Sequence, residues 1–174
     1  CNAHGADVGE MDLDQIQVAM EKIKKMGVKY IYLQGGEPLL REDLPEIIGL
    51  ILDLDLKPTV LTNGTILNSQ FIDFINNKPV NLSISLETLD QKQYKTLTNR
   101  DYLNQKTKAI EMFGGVEHLG NWSISTTVTR MNIEEIPDIE QFALENGFMY
   151  VIRGYMHDIG CYGKFNAKLA YGDM

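Results

Sequence analysis

Two glycines, a carboxylate and a proline stand together at Gly35-Gly36-Glu37-Pro38, one residue after the strand-like run Val28 to Leu33. Glycines let a backbone approach a ligand with no Cβ in the way. Glu37 puts a negative charge at the C-terminal tip of the expected strand. Pro38 fixes φ and gives up its N–H, so the chain leaves the sheet there. Other expected strands end in the same kind of residues: Thr62-Asn63-Gly64, Ser85-Leu86-Glu87, Thr129 through Asn132, and Arg153-Gly154. Parallel strands share one rim, so these groups can surround a single ligand. The thiols and imidazoles offer less. His4 lies near Cys1, and His157 and Cys161 stand four apart around Asp158, but neither pair has the further ligands of a zinc site. His118 is expected at the surface, in a loop.

Positioning those tips takes alternating elements. Asp12 or Asp14 can cap a first helix that Gly27 ends, and Val28 to Leu33 follows as a strand. Asp43 opens a helix with Pro45 in its first turn. Strand Pro58–Thr62, a short helix capped by Asn68, and strand Val80–Leu86 come next. A polar helical region interrupted near 99–102 leads to strand Trp122–Val128, helix Ile133–Asn146 and strand Phe148–Ile152. Strict alternation implies parallel strands joined by right-handed helical crossovers. A closed or partial (β/α) barrel and an open doubly wound sheet both fit this order. The Gly-x-Gly-x-x-Gly signature is missing after the first strand, which favours the barrel.

The 174 residues suit one domain, with 1–154 as barrel elements and 155–174 as a tail or the start of a C-terminal extension. A chain that opens on Cys1 with structure from its first residues reads as a piece of a longer protein. The net charge of −8 argues against broad binding to a nucleic-acid backbone, which needs clustered cations. No apolar run reaches the roughly 20 residues of a membrane span. Two cysteines do not make a disulfide framework, and a reducing, cytoplasmic compartment is expected.

The order of strand-end motifs, from Cys1 to about Gly154, resembles the radical SAM superfamily, in particular its peptide- and cofactor-maturing branch. The resemblance implies an α/β fold, a partial (β/α)6 TIM-like barrel truncated at the N-terminus. It implies an enzyme that binds a 4Fe-4S cluster and S-adenosylmethionine and generates a 5′-deoxyadenosyl radical for hydrogen abstraction. Cluster ligation by thiolates is ordinary iron–sulfur chemistry, and the radical chemistry belongs to the cofactor. Cys1 resembles the third cysteine of the Cys-x-x-x-Cys-x-x-Cys signature, and the first two would lie upstream. Gly35, Gly36, Glu37 and Pro38 resemble the site for the methionyl amino group. Asn63 and Gly64 resemble the turn near the nucleoside, and Ser85 the polar residue at the ribose or carboxylate region. Glu87 stands where an Asp is common. Arg100 resembles the base that pairs with the methionyl carboxylate, and Thr129 and Asn132 the positions near adenine. A small-molecule or peptide substrate and an electron donor such as ferredoxin or flavodoxin are the implied partners, with no nucleic acid and no membrane.

Plainer roles compete for the same residues. Asn63-Gly64 suits a tight turn, Ser85 a backbone partner, Arg100 a solvated charge and Glu87 a cap for the next helix. Another (β/α) barrel enzyme, or a binding module of this fold without catalysis, stands as the alternative function.

Overall fold

Asp12 accepts a hydrogen bond from the Gln15 amide at 2.8 Å, and the Asp12 amide donates to the Gln15 side chain at 3.2 Å. This reciprocal cap starts α1, Leu13–Lys25. Gly27, at φ +84°, takes the left-handed conformation that ends it. The Val28 amide still donates back to Ile23, so β1 spans Tyr30–Leu33 and starts two residues later than the apolar run suggests. The computed structural model describes residues 9–154. The remaining elements are α2 (Leu44–Asp53), β2 (Lys57–Thr62), α3 (Ser69–Ile75), β3 (Asn81–Ser85), α4 (Gln91–Thr98), α5 (Leu103–Phe113), β4 (Trp122–Val128), α6 (Ile136–Glu145) and β5 (Met149–Gly154).

Local chemistry sets most of these boundaries. Asn68 caps α3 through the Phe71 amide, and Asp90 caps α4 through the Gln93 amide, which leaves Glu87 free of that role. Asn99 in the left-handed region separates α4 from α5. Asp43 precedes α2 but does not cap it, because its carboxylate is held by the Arg41 guanidinium at 2.5 and 3.0 Å. The single helix expected over 133–146 is instead a 3-10 turn, Ile133–Glu135, followed by α6 with Pro137 in its first turn.

All five strands are parallel and lie in the order β1-β2-β3-β4-β5. A doubly wound sheet reverses direction from its first strand. Sequential order is instead that of a barrel wall, here five strands of it among the described residues. Side chains alternate across the sheet. Val60, Leu82, Ile84 and Ile124 face the helices and pack with Ile48, Ile72, Ile75, Ile110 and Ile139 in the main core. Each such buried side chain is worth about 1.5–3 kcal/mol relative to exposure. The opposite face carries the register pairs Thr59–Asn81 and Leu61–Ser83 between β2 and β3, Ser83–Ser123 and Ser85–Ser125 between β3 and β4, and Thr127–Arg153 between β4 and β5. Hydrophobic burial thus fixes the wall, and the strands deliver their polar ends to one rim.

Candidate functional site

At that rim Glu37 ties β1 to β2. One carboxylate oxygen accepts from the Thr62 hydroxyl at 2.6 Å and the Leu39 amide at 3.2 Å, and the other accepts from the Asn63 amide at 2.8 Å. A carboxylate has about four acceptor directions, so the second oxygen keeps one. Asn63 spends its own side-chain oxygen on the amide and hydroxyl of Thr65. A Cβ at Gly35 or Gly36 would meet nothing within 4 Å. No described residue occupies the place of a Cβ at either position, and Gly35, at φ +159°, takes a backbone conformation that side-chain-bearing residues rarely adopt.

Two hollows meet along this rim. The larger, about 660 Å³, is lined from β2 by Asn63 and Thr65, from β3 by Ser85 and Glu87, from α4, α5 and their connection by Tyr94, Arg100 and Lys106, and from β4 by Thr127 and Thr129. The smaller, about 250 Å³, contains Gly35, Gly36, Glu37 and Pro38 with Arg41. The hydrogen bond from Asn63 to Glu37 joins them.

The floor of the larger cavity holds an ion pair whose lysine is buried and whose carboxylate is 23 % exposed. The Lys106 ammonium donates to the Ser85 carbonyl at 2.7 Å, lies 5.0 Å from the Tyr94 ring centroid and stands 4.0 Å from the Glu87 carboxylate. Its side chain is only 2 % exposed. Burial pushes the Glu87 carboxyl above the ordinary carboxylate range, opposed by the nearby Lys106 charge. Burial pushes Lys106 down, opposed by Glu87 and then by Glu37. Gly64, at φ +76°, makes room for this arrangement: a Cβ there would sit 2.8 Å from Ile84 Cγ2 and 3.4 Å from Lys106 Cγ.

The expected residues therefore divide. Asn63, Ser85, Glu87, Arg100 and Thr129 line the larger cavity, and Gly35, Gly36, Glu37 and Pro38 the smaller. Gly64 shapes the larger from behind. Asn132 requires a correction. It is fully buried, and its amide is consumed: it accepts from the Thr129 amide and hydroxyl at 2.7 and 3.0 Å and donates to the carbonyls of Glu87 and Thr127 at 2.7 and 3.0 Å. It locks the loop after β4 to the loop after β3 and presents nothing to a ligand. His118 is also corrected. It is half-buried, stacked on Trp122 at 4.2 Å, near the opposite rim. Cys1, His4, His157 and Cys161 lie outside the described residues, and among the described residues no three His, Cys, Asp or Glu are grouped to hold a metal. None of the described helices is long and apolar enough to cross a membrane.

Lys106 and Tyr94 were not expected in the site. One signal was available. Leu103, Lys106, Ile110 and Phe113 are the buried residues of α5, so a lysine occupies a position on that helix's apolar stripe.

Comparison with known proteins agrees with this architecture. The description "Radical SAM superfamily" matches residues 1–143. A probable GTP 3',8-cyclase of Pyrococcus abyssi is 33 % identical over 150 residues, covering 82 % of this chain and 47 % of its own length. Another, from Methanocaldococcus jannaschii, is 31 % identical over 155 residues, covering 84 % and 50 %. The chain thus spans about half the length of these curated relatives. Among solved structures, Streptococcus suis SuiB bound to S-adenosylmethionine superposes with a TM-score of 0.81 at 22 % identity, over 95 % of this chain and 40 % of that one. The anSMEcpe protein with bound AdoMet and a peptide gives 0.71 at 17 % identity, over 95 % and 50 %. At those identities the likeness is one of fold.

Proposed function

The chain belongs to the radical SAM superfamily, and we propose that its paired rim hollows form the S-adenosylmethionine site of a radical enzyme. The observation that carries this reading is the Glu37 carboxylate, bridged to Thr62 and Asn63 with an acceptor direction to spare between the two hollows. The donor set fits the molecule's functional groups. The second oxygen of Glu37, beside the Gly36 backbone, would hold the methionyl ammonium. The Arg100 fork suits its carboxylate. Ser85 and Glu87 would hold ribose hydroxyls, and the wall at Thr127 and Thr129 would flank the base. A cavity of about 660 Å³ lies within the usual range of roughly 300–1,000 Å³ for such ligands. Cys1 would supply one thiolate to the 4Fe-4S cluster, with the other two before it in the parent protein.

When bound together, the cluster and S-adenosylmethionine supply one-electron cleavage of a sulfonium, which initiates hydrogen abstraction. The residues of this chain bind, orient and shield. Glu37 fixes the spacing of the β1 and β2 tips, and Asn132 fixes the loops beside β3 and β4. A one-electron donor of the ferredoxin or flavodoxin kind would serve the parent enzyme.

For the substrate, the 27–37 % identity to proteins named GTP 3',8-cyclases supports a purine nucleotide. The peptide-bound structural neighbours are more distant in sequence. The strand face that would meet a substrate mixes hydroxyls with apolar side chains such as Leu61 and Val151, and Lys57 and Arg153 are the only cations within the five described strands. A triphosphate would therefore draw most of its counter-charge from the rest of the parent protein.

The full-length protein, reconstituted anaerobically with iron and sulfide, should show a brown cluster absorbance and cleave S-adenosylmethionine under reduction. Failure of both in a folded sample refutes the proposal. Stimulation of that cleavage by GTP, and not by peptides, is the expected result for a nucleotide substrate; no response to GTP refutes it.

A further inference from the structure

The Glu87–Lys106 pair is built in a way that the cofactor reading alone does not explain. Its separation of 4.0 Å is too long for a hydrogen bond. The ammonium has three donors and spends one on the Ser85 carbonyl. Among the described residues, no other residue donates a hydrogen bond to the Glu87 carboxylate. Both groups line the same cavity. Three elements are shaped around the lysine: the bare Gly64 turn after β2 passes its stem, the Ser85 carbonyl of β3 accepts its hydrogen bond, and the Tyr94 ring of α4 covers it. Taking the Lys106 ammonium fully, and Glu87 partly, out of water costs desolvation that an apolar pair would not, so the pair is weak evidence for stability. It is better understood as holding a charge where a ligand needs one.

We propose that Lys106 is a positioning residue: it holds Glu87 as a carboxylate at the cavity floor, so that Glu87 accepts hydrogen bonds from a hydroxyl-bearing ligand. This rests on the reading of the cavity as the S-adenosylmethionine site. The geometry suits a bridging hydroxyl. An oxygen about 2.8 Å from each partner spans the 4.0 Å gap, donating to Glu87 and accepting from Lys106. Without the ammonium, desolvation of Glu87 is unopposed and favours the protonated carboxyl, which has less acceptor capacity. The other titratable groups around the pair are Tyr94 on α4, Arg100 and Tyr102 between α4 and α5, and Glu37 at the tip of β1. From β4 come Thr127 and Thr129, which carry no charge, and β5 sets Arg153 in register with Thr127.

The test uses full-length protein and has two arms. The first needs no ligand: infrared difference spectra across about pH 5 to 9, with Glu87→Gln assigning the Glu87 carboxyl band. In Lys106→Met the midpoint of that band should move up by about one unit or more, tenfold in protonation. The second arm is equilibrium dialysis of S-adenosylmethionine. Lys106→Met should weaken binding by about tenfold at neutral pH and recover most of it near about pH 9, whereas Lys106→Arg should bind as wild type does. Where the methionine variant does not fold, Lys106→Gln takes its place. An unmoved infrared midpoint overturns the inference, and so does a loss of affinity that alkaline pH leaves unrepaired. A wild-type protein that binds no S-adenosylmethionine overturns the proposed function instead; in that case the infrared arm alone decides the role of Lys106.

Discussion

Cutting the bridge between Glu37 and Thr62 tests whether the rim is held by a network or by independent contacts. Thr62 is almost fully buried; its hydroxyl donates to Glu37 at 2.6 Å and accepts from the Gly64 amide at 3.0 Å. Thr62→Val keeps the volume, forfeits a hydrogen bond to a charged group worth about 1.5–3 kcal/mol, and leaves the Gly64 N–H without an acceptor. A loss of about 2–4 kcal/mol is expected. Glu37→Ala removes three accepted bonds, but Asn63 is exposed and water replaces part of that one. A loss of about 2–4 kcal/mol is expected there as well. Because the two variants delete one shared bond, the double variant should be less destabilised than the sum by about 1–2 kcal/mol. Urea unfolding of the four proteins without ligand measures this, and a domain of about 5–15 kcal/mol total stability tolerates each change. Additivity within about 0.5 kcal/mol refutes the linkage. If it holds, Thr62→Val should also weaken S-adenosylmethionine binding although the charge of Glu37 is retained.

Asn132→Ala orphans two carbonyls and two donors in a buried loop. It should cost about 2–4 kcal/mol, read as a lower urea midpoint; an unchanged midpoint contradicts the structural role assigned here. Gly64→Ala meets Ile84 at 2.8 Å in a left-handed conformation and should destabilise by about 1–3 kcal/mol. An alanine variant as stable as wild type means that the stem of Lys106 is not confined there. The double variant Glu87→Gln/Lys106→Met should be at least as stable as wild type near neutrality. The signs follow from the two shifts. A raised Glu87 gives stability present below its unfolded value of 4.5 and lost as pH rises through the folded one. A lowered Lys106 gives stability present above 10.5 and lost as pH falls through the folded one. The advantage of the double variant should therefore peak between those limits and shrink toward acid and alkali; urea midpoints that favour wild type at neutrality refute it.

The sheet was legible because its causes are local. Apolar runs, caps at Asp12 and Asn68, and the glycine stop at Gly27 each act within a few residues, and strict alternation left only parallel orders. A boundary shifted where a neighbour intervened, as the end of α1 absorbed Val28; α2 opens after Asp43 as expected, although Arg41 takes the Asp43 carboxylate. The site was legible as a rim and illegible as a division of labour. Asn132 looks in sequence like any polar residue after a strand; only packing of two loops reveals that its amide is already spent. Lys106 hid for the opposite reason. On a helix with many polar residues a lysine is ordinarily solvated, and its partners Ser85 and Glu87 are about twenty residues earlier.

That hidden lysine changes what the third strand tip means. A carboxylate at the end of β3 could be a passive acceptor whose charge is set by solvent. Here Glu87 is partly withdrawn from solvent, and desolvation alone would favour the neutral acid. Keeping the charge takes a cation that is itself unwilling to be buried, and the fold accommodates it with a residue lacking a side chain at Gly64, a backbone carbonyl at Ser85 and a ring at Tyr94. Each concession is small, but three elements make them toward one atom. A helix face that gives up an apolar contact and a turn that forbids a Cβ make sense together only if the charge at Glu87 is used.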